Sequence, residues 1–228
     1  MEYAANFNTA LTAVKVLGGL KEGDYLIQHG ADSAVGLAVV QIAALKGIHT
    51  INIVPEGPDY LERAGLIKEL GGDVVMKDTY AGSAGSKKIL SELPKPKLGL
   101  TGSAAGAAAL GPLLGGANLI TYGGSSSEPL GGSKGGDFSA AEWLKKASAG
   151  DRAKAVDEVA GLFRSGALNL WVERHPISDI KYALSEAQEA YKTRKVVLVV
   201  NEVEAGSGKL NTQDLSTEFE AAFMKLKA

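Results

Sequence analysis

Short apolar runs alternate with amphipathic segments over the first half of the chain. The apolar runs predict five strands, at 25–29, 49–54, 73–76, 97–101 and 118–122. Segments with helical spacing predict helices at 8–20, 33–46, 60–70 and 103–114, and one more that ends near residue 93. Units of strand and helix recur about every 25 residues, which is typical of a parallel sheet covered by helices. The prediction is an α/β fold with a doubly wound parallel sheet and helices on both faces.

The pattern changes after residue 122. Residues 123–136 are rich in Gly and Ser and are predicted as a loop. The elements predicted beyond this loop are helices at 139–149 and 152–165, a strand at 168–172, a helix from 178 or 179 to near 192, and a strand at 195–200. A polar linker then leads to an amphipathic stretch, whose apolar face carries Leu215, Phe219, Ala222, Phe223 and Leu226. We therefore predict a Rossmann-like domain over 1–200, and a linker with a C-terminal amphipathic helix over 201–228.

Composition narrows the function classes. The chain has 228 residues with 24 basic and 26 acidic side chains, and a net charge of −2 argues against a broadly basic nucleic-acid binder. The absence of Cys excludes disulfides, Cys-based zinc sites, iron–sulfur clusters and thiol catalysis. With only three His, no metal site is predicted. Residues 98–127 carry no charge, but Pro112 and repeated Gly interrupt them, so we predict no transmembrane span. We expect neither a signal peptide nor a transit peptide in the first residues of this sequence.

The turn between the first strand and the next helix has the composition of a phosphate-binding turn. It reads QHGADSAVG over 28–36, and Ala31, Ser33 and Gly36 occupy the three glycine positions of a G-x-G-x-x-G register. Small residues let the backbone approach a pyrophosphate, and the helix N-terminus offers free N–H groups and positive partial charge. By itself the turn fits equally well a tight strand–helix connection in any α/β protein.

Further segments occur with this turn in a characteristic order: INIVPEGPD, KLGLTGSAAG, LITYGG and PISDIKYALSEAQEA…KVVLVV. Together they resemble the mitochondrial 2-enoyl thioester reductase branch of the medium-chain dehydrogenase/reductase superfamily, from about residue 4 to residue 200. The resemblance implies a mitochondrial location and reduction of 2-enoyl thioesters with NADPH by a homodimer of two-domain chains. The cofactor-binding residues that it implies here are Gly30, Ala31, Ser33, Val35, Gly36, Glu56, Tyr122, Gly123 and Gly124.

Several positions depart from the family pattern. We expect the family's N-terminal GroES-like domain, with its catalytic Tyr, to be missing, so no catalytic residue is assigned. Where the family usually has Arg residues to hold the adenosine 2′-phosphate, this chain has Pro55 and Gly57 with Glu56 between them. Glu56 would repel a phosphate and suits a ribose 2′-hydroxyl, which favours NADH; a solvated loop carboxylate is the alternative. The family's Asn before the first glycine is His29 here, and small residues fill 101–105. The cofactor therefore stays open between NADPH, NADH and none.

The family's dimer segment is also reduced. It is shortened here to the region 125–143, in which only Phe138 and Trp143 match, so the family homodimer is doubtful. We expect the C-terminal helix at 214–227 to dock on another protein subunit, or else to pack back on its own domain. Three functions remain in order of preference. They are a non-catalytic accessory subunit of a mitochondrial assembly such as a respiratory-chain complex, an NAD(P)H-dependent enoyl thioester reductase, and a nucleotide-sensing subunit.

Overall fold

The fold follows the predicted alternation of strands and helices. A computed structural model describes residues 2–123, 135–188 and 194–199. The strands are β1 Tyr25–His29, β2 His49–Val54, β3 Val74–Lys77, β4 Leu98–Thr101, β5 Asn118–Tyr122, β6 Gly135–Phe138, β7 Val172–Pro176 and β8 Lys195–Val199. The helices are α1 Glu2–Val16, α2 Ala34–Leu45, α3 Tyr60–Glu69, α4 Asp78–Ala81, α5 Ala84–Ser91, α6 Ala104–Leu110, α7 Ala140–Lys146, α8 Ala149–Arg164 and α9 Ile180–Gln188. Short 3-10 turns lie at Gly111–Leu113 and Ile177–Asp179.

Six of the described strands form one parallel sheet in the order β3-β2-β1-β4-β5-β6. Each βα unit adds a parallel neighbour, with Tyr25 opposite His49 on one side of β1 and Leu26 opposite Leu98 on the other. The order of connection reverses between β1 and β4, so the loops after these two strands diverge and leave a crevice at their carboxyl ends. This is the doubly wound arrangement, and the predicted fold class is confirmed.

The core lies on both faces of this sheet, because successive strand residues point to opposite sides. Leu26 of β1 packs with residues of α1, α2 and α8 on one face, whereas the next residue, Ile27, packs with residues of α6 on the other. Helix α2 lies deep in the structure, with eight residues from Gly36 to Ala43 buried. The sheet therefore holds the start of α2 in a fixed place, and that start is where the candidate site lies.

Several predicted elements differ from the structure, and the helix predicted at 8–20 spans Glu2–Val16 instead. The predicted loop at 123–136 ends in a strand instead, because Gly135–Phe138 pairs with β5 and places Phe138 opposite Tyr122. A glycine-rich segment has little strand propensity of its own, so backbone pairing with β5 defines this strand. The strand predicted at 168–172 was wrong in position, since the strand lies at Val172–Pro176 while Leu168 is buried against the core. The helix predicted from 178 or 179 begins as a 3-10 turn and becomes α-helical at Ile180.

Strands β7 and β8 lie parallel to each other and form a separate two-stranded sheet. Within the part of the chain that is described, no helix is long and apolar enough to cross a membrane. The predicted C-terminal helix at 214–227 and residues 124–134 lie outside the described residues.

Candidate nucleotide-binding site

The turn after β1 is held by backbone hydrogen bonds to the neighbouring strand. The N–H groups of Gly30 and Ala31 both donate to the carbonyl oxygen of Ile53, at 2.9 and 3.2 Å. Gly30 has a φ of +70°, a left-handed conformation that favours glycine over any side chain. Ala31 is fully buried, so the turn lies flat against β2 rather than projecting into solvent.

Helix α2 begins close behind this turn. Ser33 is its N-cap, and the Ser33 hydroxyl accepts a hydrogen bond from the Gly36 N–H at 3.1 Å. A Cβ atom at Gly36 would lie 2.5 Å from the carbonyl oxygen of Ala31, so only glycine lets the helix approach the turn this closely. Ala34 and Val35 lie in the same first turn, where backbone N–H groups have no partner within the helix, as in helix N-termini that bind phosphate groups.

The end of β5 closes one side of the crevice. The Tyr122 side chain is 7% exposed and shares a hydrogen bond with the Ser33 side chain. Burial raises the pKa of the Tyr122 hydroxyl above its usual 10.0, so this group stays protonated at neutral pH. A Cβ atom at Gly102 would lie 2.9 Å from the Tyr122 ring, so the loop after β4 also packs against it. Gly123 follows with a φ of +88°, and Gly124 lies outside the described residues.

The start of α6 forms the opposite side. Ser103 caps this helix by accepting from the Gly106 N–H at 3.1 Å, and the Ser103 N–H donates to the Thr101 hydroxyl at 3.2 Å. A Cβ atom at Gly106 would lie 2.7 Å from His29 Nδ1, so glycine makes room for the imidazole. Burial lowers the pKa of His29 below its usual 6.5, although the charges of Asp78 and Asp32 oppose that shift. His29 is therefore a neutral side chain at physiological pH.

A buried ion pair fastens the turn to the next βα unit. Arg63 of α3 donates to the Asp32 carboxylate and, at 3.0 Å, to the carbonyl oxygen of Pro55. Asp32 is 2% exposed and Arg63 is 7% exposed. Burial raises the pKa of the Asp32 carboxyl, and the hydrogen bond from Arg63 opposes that rise. Sequence reasoning missed this pair, since the two residues are separated by 31 positions and nothing in their local patterns links them.

Glu56 lies just beyond the end of β2, next to the end of β3. Its carboxylate accepts from Lys77 Nζ at 2.8 Å and from the Thr79 hydroxyl at 3.0 Å. The Glu56 N–H donates to the Asp78 carboxylate at 3.0 Å. The hydrogen bond from Lys77 is the main reason that the pKa of Glu56 is lowered. The side chain is half exposed but ion-paired, so it differs from a loop carboxylate surrounded only by water.

The structure brings the predicted residues to one edge of the sheet. Gly30, Ala31, Ser33, Val35 and Gly36 form the turn and the start of α2 at the carboxyl end of β1. The other predicted residues follow the ends of neighbouring strands; they are Glu56 after β2, and Tyr122 and Gly123 at β5. A dinucleotide across this edge would place its pyrophosphate on α2 and its adenosine ribose over β2. No cluster of three potential metal ligands occurs among the residues with described positions.

Several curated proteins that are similar to this chain share the same name. The chain is 31% identical over 204 residues to a protein named mitochondrial enoyl-[acyl-carrier-protein] reductase from Dictyostelium discoideum, covering 85% of this chain and 58% of the relative. It is 33% identical over 202 residues to the protein of that name from Arabidopsis thaliana, covering 82% and 54%. The human protein of that name is 28% identical over 193 residues, covering 79% and 52%. The chain thus spans little more than half the length of these relatives. No family model matches the chain.

Solved structures agree on the fold. The complex of Etr1p with NADP and crotonyl-CoA superimposes with a TM-score of 0.72 at 19% identity, over 82% of this chain and 59% of the other. A mycobacterial protein complexed with NADPH gives a TM-score of 0.65 at 24% identity, over 84% and 62%. The fold and the turn define a doubly wound, Rossmann-type domain. The chain is related to the mitochondrial 2-enoyl thioester reductases over about four fifths of its length, which confirms the resemblance found in its sequence.

Proposed function

We propose that this chain binds a nicotinamide dinucleotide, NADH or NADPH, in the crevice at the carboxyl ends of β1 and β4. We further propose that it works in mitochondria as an accessory subunit of a larger assembly, without turning over an enoyl thioester itself. The observation that carries the nucleotide proposal is the start of α2, where Gly36 allows the helix to approach the Ala31 carbonyl closely. The mitochondrial location follows from the names of the relatives.

The residues present fit a dinucleotide. Gly30 has no side chain that could block a ligand, and the first-turn amides of α2 offer hydrogen bonds to a pyrophosphate. Glu56 is 20 residues beyond Gly36, the spacing at which Rossmann sites place an acidic residue near the adenosine ribose. When bound, such a cofactor supplies a hydride. Two solved neighbours are complexes with NADP or NADPH, which supports a nucleotide ligand of this class.

Local hydrogen bonding supports a binding role over a chemical one. The Tyr122 hydroxyl is buried against Ser33, the Ser103 hydroxyl caps α6, and the Thr101 hydroxyl bridges to the Ser103 backbone. His29 is largely buried and neutral. The three hydroxyl groups therefore each have a structural partner that they would have to give up in order to transfer a proton to a substrate.

The nucleotide site is tested by placing a charge at the start of α2. Ala34→Glu introduces a carboxylate beside the proposed pyrophosphate, whereas Ala34→Gln introduces a neutral side chain of the same size. An acidic residue in the first turn stabilises a helix, so Ala34→Glu should remain folded. We expect NADH and NADPH fluorescence titrations to show binding by wild type and Ala34→Gln, and a loss of about tenfold or more in Ala34→Glu. Equal affinity of the two variants would refute this site.

The accessory role is tested by the native size of the endogenous protein. We expect it to migrate with a large complex in fixed ratio after mild solubilisation of mitochondria, with contacts through residues 125–143 and 214–227. Migration as a monomer or small dimer would contradict an accessory role.

The names of the relatives favour one alternative, an NAD(P)H-dependent enoyl thioester reductase that uses a substrate domain from another chain. It predicts turnover of a short 2-enoyl-CoA with NADPH or NADH by the purified assembly. An assembly without such turnover would favour the accessory role.

A further inference from the structure

Charged and polar side chains near the carboxyl ends of β2 and β3 form hydrogen bonds with one another. Both oxygens of the Glu56 carboxylate are in use, Oε1 with Lys77 Nζ at 2.8 Å and Oε2 with the Thr79 hydroxyl at 3.0 Å. Lys77 is the last residue of β3 and Thr79 lies in the following α4, so two different elements supply the donors. The set is therefore a product of the strand pairing and does not come from neighbours in sequence.

These donors have the chemistry that recognises a phosphate. An ammonium group and a hydroxyl close to each other bind phosphate oxygens by charge-assisted hydrogen bonds. In this chain the anion that they bind is an internal carboxylate. The Lys77 ammonium is placed further by the Tyr60 ring, whose centroid lies 5.0 Å from Nζ. The Glu56 main chain is fixed by Asp78, which accepts its N–H at 3.0 Å.

The set lies where a ligand can reach it. The Lys77 and Glu56 side chains are 39% and 50% exposed. Glu56 follows β2, the strand over which a bound adenosine ribose would lie. A ribose 2′-hydroxyl can donate to the carboxylate, because an ionised carboxylate has about four acceptor positions and two are used here. A 2′-phosphate would instead meet a carboxylate of its own sign that already occupies the ammonium and the hydroxyl.

We propose that Glu56 makes this site selective for a dinucleotide with a free ribose 2′-hydroxyl, NADH rather than NADPH, by occupying the Lys77 and Thr79 donors that a 2′-phosphate would need. This inference rests on the nucleotide site proposed above. Two solved neighbours are described with NADP or NADPH, so the selectivity would distinguish this chain from them. Glu56 acts here as a specificity residue and has no part in a chemical step.

The test compares the dissociation constants of NADH and NADPH in four proteins, measured by fluorescence titration of the full chain. They are wild type, Glu56→Gln, the double variant Glu56→Gln with Lys77→Met, and Glu69→Gln. The last is a control with the same loss of charge at the exposed C-terminal end of α3. All of these changes are on exposed side chains, and circular dichroism checks that each protein is folded.

We expect wild type to bind NADH more tightly than NADPH. Glu56→Gln should shift this ratio toward NADPH by about tenfold, the order expected for a doubly charged phosphate a few ångströms from a carboxylate in water. The added Lys77→Met change should lower NADPH affinity below that of Glu56→Gln alone, because the freed ammonium supplies the attractive part of the gain. Glu69→Gln should leave the ratio at the wild-type value.

Three results would overturn the proposal. They also distinguish a failure of the selectivity from a failure of the nucleotide site itself. If wild type prefers NADPH, or if Glu56→Gln changes the ratio no more than Glu69→Gln, Glu56 does not select the cofactor. The nucleotide site would still stand if Ala34→Glu abolished binding of both. If wild type binds neither nucleotide, both proposals fail.

Discussion

The buried ion pair between Asp32 and Arg63 predicts a large loss of stability from a small change. Asp32→Asn keeps the size of the side chain and removes its negative charge. Arg63 would then keep the Pro55 carbonyl oxygen as an acceptor while its charge stays buried, since only 7% of the residue is exposed. The stability loss therefore comes from removing the carboxylate charge beside a buried guanidinium more than from the lost hydrogen bond.

The size of the loss follows from the burial of both partners. Breaking a buried pair by removing one partner costs about 3–5 kcal/mol. The amide oxygen of the substituted side chain could still accept one hydrogen bond, so we expect the lower end, about 3 kcal/mol. For a chain of this size, this loss lowers Tm by about 6–12 °C.

The assay is urea unfolding followed by the fluorescence of the two Trp residues and by circular dichroism. Glu142→Gln is the control, since it breaks an exposed ion pair with Lys145 in α7 and should leave the unfolding midpoint near the wild-type value. The double variant Asp32→Asn with Arg63→Met should regain part of the loss, because no buried charge remains. A loss below about 1 kcal/mol in Asp32→Asn, or no recovery in the double variant, would refute the account of a desolvated ion pair.

Two further predictions concern Gly36 and His29. Gly36→Ala should destabilise the protein by about 1–3 kcal/mol, because the new Cβ would meet the Ala31 backbone. Gly65→Ala in α3 is the control: nothing lies within 4 Å of its new Cβ, so it should stabilise the protein by about 0.5–1 kcal/mol. Equal effects of the two changes in urea unfolding would contradict the close approach of α2. Because burial lowers the pKa of His29 below 6.5, the unfolded state binds its proton more readily, and stability should fall as pH drops from about 7 to about 5. His29→Asn should remove that part of the pH dependence, and an unchanged pH profile of the unfolding midpoint would show that His29 is not its source.

Several elements could be predicted because their signals are local. The bounds of β1, β2 and β5 match the predicted runs 25–29, 49–54 and 118–122, since each is a short apolar run that ends at turn residues. The turn after β1 was also predictable, because small residues between a strand and a helix have few other arrangements. The relation to the enoyl thioester reductases likewise lies in the order of short segments along the chain.

The partners of the charged residues could not be predicted in this way. Asp32 and Glu56 each have a partner more than 20 positions away, and only the parallel pairing of β1, β2 and β3 brings them together. Strand β6 could not be predicted locally either, because its glycines form a strand by pairing with the backbone of β5. Local propensity and apolar periodicity act over a few residues, so they determine which elements form. Register and packing act across the chain, and they alone decide which side chains meet at the carboxyl edge of the sheet.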